Sequence, residues 1–298
     1  MTDARTYQKP DSTALQHFLM RQSQQDNQWL QQEVSKRMAE RLDMIRLQPT
    51  HIQEWWPNFN GQTTDWKQFY PQASVTNVHH DMFGAEKTQG FHQSWWKKIW
   101  GRSKASVAAD LVQSSSDRQP ADLLWANMLL HWMDPQLLFK QWQAAMNVGG
   151  FLMFSCLGPD TLMELRQLYD RKGWGHATPD FLDMHDLGDL LSHSGLTDPV
   201  LDMEKIHLTW TSAESLLKDL QAWGINAHTM RFQGLRGKQW KKDLLAALEE
   251  LRPAANEPLT LTFEVLYGHA IRTSPKVKVE SESQISLRDM KQMLQKKR

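Results

Sequence analysis

The sequence predicts an α/β protein with a mostly parallel sheet and helices on both faces. One stretch, residues 121–166, carries the prediction. Residues 122–128 read as a short buried strand, nearly all apolar. Pro135 then stands where the first turn of a helix tolerates proline, and Leu138, Trp142, Ala145 and Met146 follow at spacings of three and four. Gly149 and Gly150 end that helix in this reading, and a second apolar strand runs from Phe151 to Leu157. Gly158-Pro159 breaks the strand, and Asp160 or Thr161 can cap the next helix. Strand, helix, strand, helix implies a right-handed crossover between neighbouring parallel strands. Ligands of such sheets bind beyond the carboxyl ends of the strands, which here carry Trp125-Ala126-Asn127 and Ser155-Cys156-Leu157-Gly158.

The remaining elements fit around this unit. Residues 1–29 are polar and glutamine-rich, and partial order is expected there. Leu30, Val34, Met38, Leu42 and Ile45 mark an amphipathic helix that stops before Pro49. His51 to Trp56 reads as the first strand, Asp65 to Tyr70 as a short helix and Ser74 to Val78 as the second strand. Ala105 to Ala109 is the third, with Asp110 at its carboxyl end. Further on, Asp183 to Ser194 forms a helix closed by Gly195, and Val200 to Trp210 a strand. Thr211 and Glu214 make a capping box for a helix ending at Gly224. Another helix covers Lys238 to Leu251, and a last strand runs from Leu259 to Tyr267, ending in Gly268. From Arg272 onward eight Lys/Arg stand against three Asp/Glu, which predicts a disordered basic tail with a short helix. The chain thus divides into a polar N-terminus (1–29), one domain (30–271) with helical insertions near 158–180 and 211–252, and a tail (272–298).

Composition narrows the function. Lys and Arg total 34, as do Asp and Glu, so the charge balance implies no nucleic-acid partner. Cys156 is the single cysteine, so an intramolecular disulfide is excluded, and its place in a buried strand makes it a small apolar residue. The first residues lack an apolar signal core and no run reaches a membrane span, so the expected location is the cytoplasm, with no membrane partner. His79-His80-Asp81 invites a metal reading, but adjacent histidines on a strand point to opposite faces, and no metal site is expected. Residues 84–104 mix tryptophans with Lys and Arg. They read either as a surface insertion packed on the domain or as a docking face for an acidic partner.

Four blocks carry a family resemblance: LLWANMLLHWMDP (123–135), GGFLMFSCLGPDTLMELR (149–166), FLDMHDLGDLLSHSGLTDPVLDME (181–204) and LTFEVLYGHA (261–270). With the lead-in helix EVSKRMAERLDMIRLQP (33–49), they resemble the class I S-adenosylmethionine-dependent methyltransferases. The likeness is to the malonyl-[acyl-carrier-protein] O-methyltransferase family of biotin synthesis. The resemblance implies a seven-stranded Rossmann-like sheet with an antiparallel last strand, S-adenosyl-L-methionine as cofactor and acyl carrier protein as partner.

It also implies a glycine-rich turn, acid-x-G-x-G-x-G, after the first strand. The matching stretch here is Glu54-Trp55-Trp56-Pro57-Asn58-Phe59-Asn60, so Trp56, Asn58 and Asn60 stand at the glycine positions and Gly61 falls one place late. His79 stands where the family has an acid for the ribose hydroxyls, and Asp110 matches the acid near the adenine. The resemblance thereby points to Glu54, Asn60, Gly61, His79, Asp110 and Asn127 as cofactor-binding positions. Two readings stay open. One is an enzyme methylating the free carboxylate of malonyl-acyl-carrier-protein, with no protein nucleophile. The other is a catalytically inactive protein of the same fold that binds the carrier protein or an active paralogue.

Overall fold

The computed structural model describes residues 10–11, 13–15, 28–57, 64–78, 119–224, 226–232, 234 and 236–274. Within them six strands form one sheet: β1 His51–Trp55, β2 Ser74–Val78, β3 Ala121–Ala126, β4 Met146–Leu157, β5 Leu196–Trp210 and β6 Leu259–Arg272. Their order is β2-β1-β3-β4-β6-β5. The first four are parallel neighbours, and β6 runs antiparallel between β4 and β5. The expected crossover is present: Leu123 of β3 lies opposite Phe151 of β4, and Trp125 opposite Met153. The expected strand 105–109 lies outside the described residues, as do His79-His80-Asp81, the segment 84–104 and residues 275–298.

Alternation along the strands sorts side chains onto two cores. Ile52, Leu123, Trp125, Phe151, Met153 and Phe263 face one core. It is covered by α1 (Trp29–Glu40), α4 (Met163–Lys172), α6 (Ala213–Trp223) and α7 (Lys238–Glu249), through residues such as Val34, Leu168, Leu216 and Leu248. Leu124, Ala126, Leu152, Phe154 and Leu266 face the other core. There α3 (Pro135–Ala145) and α5 (Met184–His193) pack through Phe139, Trp142 and Leu187. A short helix, α2 (Trp66–Phe69), follows β1.

The start of α3 follows the expected chemistry. The Asp134 carboxylate accepts from the Gln136 and Leu137 amides at 3.1 and 3.4 Å, and Pro135 fills the first turn. Other boundaries differ from the sequence reading. β3 ends at Ala126, before Met128. β4 begins at Met146, and Gly149 and Gly150 lie inside it instead of ending the helix. A Cβ on Gly150 would stand 2.9 Å from the carbonyl oxygen of Ala121, so this glycine permits close strand approach. β6 likewise runs on through Gly268, where a Cβ would meet the Phe154 ring at 2.1 Å. The cap of α4 is not Asp160 or Thr161. The Asp160 amide and Thr161 hydroxyl donate to Glu264, and Leu162 takes the N-cap position at φ 54°. α6 is capped by Ser212 in place of Thr211, its hydroxyl accepting from the Ser215 amide at 3.2 Å. Cys156 is buried, and burial together with Glu264 raises its thiol pKa, so it is a core residue.

Candidate functional site

Strand register fixes one rim of the sheet. Glu54 lies opposite Asn77 of β2 and Trp125 of β3, so the carboxyl ends of these strands are side by side. Glu54 is buried, and its carboxylate accepts from the Trp66 indole at 3.1 Å and the Thr64 amide at 3.4 Å. Burial raises its pKa above the usual carboxylate range, and those two donors oppose the rise. Trp66 in turn packs edge-on against Trp125 at 5.0 Å.

Trp56 follows directly. Its φ is 58°, its side chain is buried in the core covered by α3, and its amide donates to the Val78 carbonyl at 2.8 Å. A left-handed residue with a side chain costs roughly 1–2 kcal/mol. The turn therefore keeps a conformation natural to glycine while carrying the bulkiest side chain. Asn127, at the end of β3, donates to the Gln31 carbonyl at 2.8 Å and accepts from Ser155 Oγ at 2.7 Å. The same Ser155 oxygen accepts from the Met128 amide at 2.9 Å and holds Met128 at φ 51°. Asn60, Gly61, His79 and Asp110 lie outside the described residues. Glu54 and Asn127 thus engage protein partners, and the Trp56 indole, which the resemblance sets at the first glycine position, is buried in the core covered by α3.

Beyond β3 and β4 the rim opens into a cavity of about 120 Å³. Leu30, Met128, Leu157, Leu165 and Phe263 give it apolar walls, and no Asp, Glu, Lys or Arg is among its described lining residues. Three lining residues, Gln31, His131 and Trp223, are buried, and one polar atom of each has no partner among the described residues: Gln31 Oε1, His131 Nδ1 and Trp223 Nε1. Burial pushes the His131 imidazole down to about 3, so it is neutral near pH 7. One side of the cavity is Thr178, Pro179 and Phe181. That segment is fixed to Asn226 and His228: the Asn226 amide donates to the His176 carbonyl at 2.5 Å, and the rings of His176 and His228 stack at 3.8 Å. The sequence reading missed Gln31, His131 and Trp223. The available signal was His131 itself, a histidine inside an apolar run just past the end of a strand.

Among the described residues no three His, Cys, Asp or Glu side chains are grouped to hold a metal ion, and no helix is long and apolar enough to cross a membrane.

A mostly parallel sheet with an antiparallel strand before its far edge is the Rossmann-like architecture of the methyltransferases. Comparison with known proteins is more specific. The chain is 37 % identical over 256 residues to the malonyl-[acyl-carrier protein] O-methyltransferase of Gallionella capsiferriformans, covering 83 % of this chain and 86 % of that protein. It is 35 % identical over 251 residues to the enzyme of that name from Laribacter hongkongensis, covering 83 % and 84 %. The chain belongs to the malonyl-[acyl-carrier protein] O-methyltransferase family. No family model matches it. Among solved structures, an N-methyltransferase from Bradyrhizobium japonicum aligns with a TM-score of 0.40 at 13 % identity, over 87 % of this chain and 98 % of that one.

Proposed function

We propose that this protein is a cytoplasmic methyltransferase that esterifies the free carboxylate of a malonyl thioester on acyl carrier protein, a step of biotin synthesis. The observation that carries the reading is the likeness to relatives of that name across more than four-fifths of both chains. S-adenosyl-L-methionine would supply the methyl group. The positions at which its contacts are sought are Glu54, Asn60, Gly61, His79, Asp110 and Asn127. A carboxylate is ionised at neutral pH, so the reaction needs no general base. The work left to the protein is alignment of the acceptor and exclusion of water. Buried walls beyond β3 and β4 suit that work.

The test is transfer of a labelled methyl group to purified malonyl-acyl carrier protein, read by mass spectrometry, beside calorimetric titration with S-adenosylhomocysteine. The second reading is a catalytically inactive binder of carrier protein or of an active paralogue, and it draws on Trp56, buried where the resemblance sets the first glycine. No transfer and no heat, with carrier protein still bound, would select it.

The partner surface is proposed at residues 91–104, where Lys97, Lys98, Arg102 and Lys104 stand among Trp95, Trp96 and Trp100. Exchange of Lys97 and Lys98 for glutamate is expected to weaken carrier-protein binding about tenfold at low salt, a change of about 1.4 kcal/mol that shrinks as salt is added. Surface plasmon resonance at two salt concentrations measures it. Unchanged affinity would leave the segment as surface packing.

A further inference from the structure

The chain between α4 and α5 has neither helix nor strand from Trp174 to Asp183, yet its Thr178, Pro179 and Phe181 wall the cavity beyond β3 and β4. Nothing in its own backbone pattern keeps it there. Side chains that follow α6 do. Arg236 donates to the Trp174 carbonyl at 2.9 Å, Asn226 donates to the His176 carbonyl at 2.5 Å, and the His228 ring stacks on His176 at 3.8 Å with 11° between the planes. A third stretch joins from the N-terminal side. The Asp11 amide donates to the Ala227 carbonyl at 2.8 Å, and the Asp11 carboxylate accepts from Arg231 at 2.8 Å. His228 sits where the three stretches meet, and it is only 4 % exposed.

The hydrogen bonds of His228 fix its protonation. Nδ1 accepts from the Met230 amide at 3.0 Å. An amide nitrogen can only donate, so Nδ1 carries no proton and the ring is neutral, with its proton on Nε2. Nε2 lies 3.7 Å from the exposed Asp180 carboxylate. A second proton would set two donors face to face at Nδ1. It would also bring positive charge against the His176 ring and toward Arg231, which donates to the carbonyl of His228 itself at 2.9 Å. Burial first, then His176 and Arg231, hold the imidazole below its ordinary 6.5, and Asp180 opposes them.

We propose that neutral His228 latches the strap 174–181 against the cavity, and that protonation of its ring releases the strap. The inference goes beyond the proposed activity and holds whether the protein transfers methyl groups or only binds a partner. The sign follows from the depressed pKa. The contribution of the latch is full above 6.5 and is lost as pH falls from there through the folded value. A ring that stays neutral when latched and regains its ordinary pKa when released favours opening by at most about tenfold one pH unit below 6.5.

The test is amide exchange of the full chain at about pH 7.5 and about pH 5.5, corrected for the intrinsic effect of pH on exchange. The readouts are the amides of Trp174, Met230 and Arg231, which donate to the Tyr169 carbonyl, His228 Nδ1 and the His228 carbonyl. Their protection is expected to fall about three- to tenfold at the lower pH, while β4 and β6 keep theirs. His228→Asn cannot titrate, but its carboxamide oxygen can accept from the amide two residues on, so protection in this variant should not depend on pH. In the unaltered protein the fall should track the titration of the His228 Cε1 proton in NMR spectra. Protection unchanged between the two pH values, the same fall in His228→Asn, a fall that tracks another group, or equal loss in β4 and β6 overturns the proposal.

Discussion

The two ends of the parallel sheet are built to different rules. At the amino end one carboxylate, Asp122, ties three strands. It accepts from the Thr50 amide and hydroxyl at 2.9 and 2.7 Å, from the His51 amide at 3.1 Å and from Asn147 Nδ2 at 2.8 Å. Nearby, His51 Nδ1 and Ser74 Oγ are 2.9 Å apart. At the carboxyl end Trp56, Met128 and Leu162 sit in left-handed conformations, and Met128 and Leu162 line the cavity. The amino end is not free of such costs, since His51 Nε2 is buried without a partner among the described residues and Asp198, near the start of β5, has φ 51°. What differs is the kind of construction: one carboxylate ties three strands at the amino end, whereas three of the four left-handed non-glycine residues among the described residues gather toward the carboxyl end.

The sharpest way to break the contrast is Trp56→Gly. Loss of the indole costs about 3–5 kcal/mol, offset by roughly 1–2 kcal/mol of relieved strain, so a net loss of about 1–4 kcal/mol is expected in urea denaturation. If the indole blocks the donor side, S-adenosylhomocysteine affinity should rise at least tenfold in the same variant. Unchanged affinity would show that the tryptophan is a core residue alone. Next is Asp122→Ala, which orphans two backbone amides at the other end. A stability loss of about 2 kcal/mol is expected, after allowance for partial exposure, with binding in the cavity untouched. Loss of ligand binding beyond that caused by unfolding would mean that the two ends are coupled.

The smallest effects are in pH dependence, where two carboxylates move in opposite directions. Burial pushes the Asp122 carboxyl up, but the bonds from Thr50, Asn147 and His51 overcome it and hold it at about 2, below its ordinary 3.8. Its contribution to stability is full above 3.8 and is lost as pH falls through about 2. Glu54 is raised by burial, so its contribution is full below 4.5 and is lost as pH rises through its folded value. Denaturation series across pH should therefore show Asp122→Asn removing the acid-side loss and Glu54→Gln flattening the decline above 4.5. The same change in both variants would contradict this assignment.

Much of the fold was legible because its signals are local. The apolar run through Leu123, Leu124 and Trp125, the proline at the start of α3 and Gly195 just past α5 each act over a few residues. Glycine misled where its reason is tertiary. Gly150 and Gly268 look like breaks, but they make room for Ala121 and Phe154, which no local pattern reveals. The cavity beyond β3 and β4 was hidden for the same reason. Gln31, His131 and Trp223 meet only because α1, the turn after β3 and the end of α6 converge. The donor-side reading depended on a motif, and motifs show what has been replaced without showing what the replacement packs against.

One contact has a consequence for motion. Asn127 holds α1 by the Gln31 carbonyl, and α1 otherwise clings to the sheet by Leu30, Val34 and Met38 and by ion pairs such as Arg37 with Glu204 at 3.0 Å. Since α1 contributes no strand, it can undock while the sheet stays whole, with an opening free energy of its own below that of global unfolding. Gln31 and Leu30 also line the cavity beyond β3 and β4, so each opening dissolves it, and any ligand seated there would resist opening by mass action, as RT ln(1 + [L]/Kd). Amide exchange along Trp29–Glu40 would therefore report filling of the cavity from the outside, slowing while exchange in the distant edge strand β2 keeps its pace.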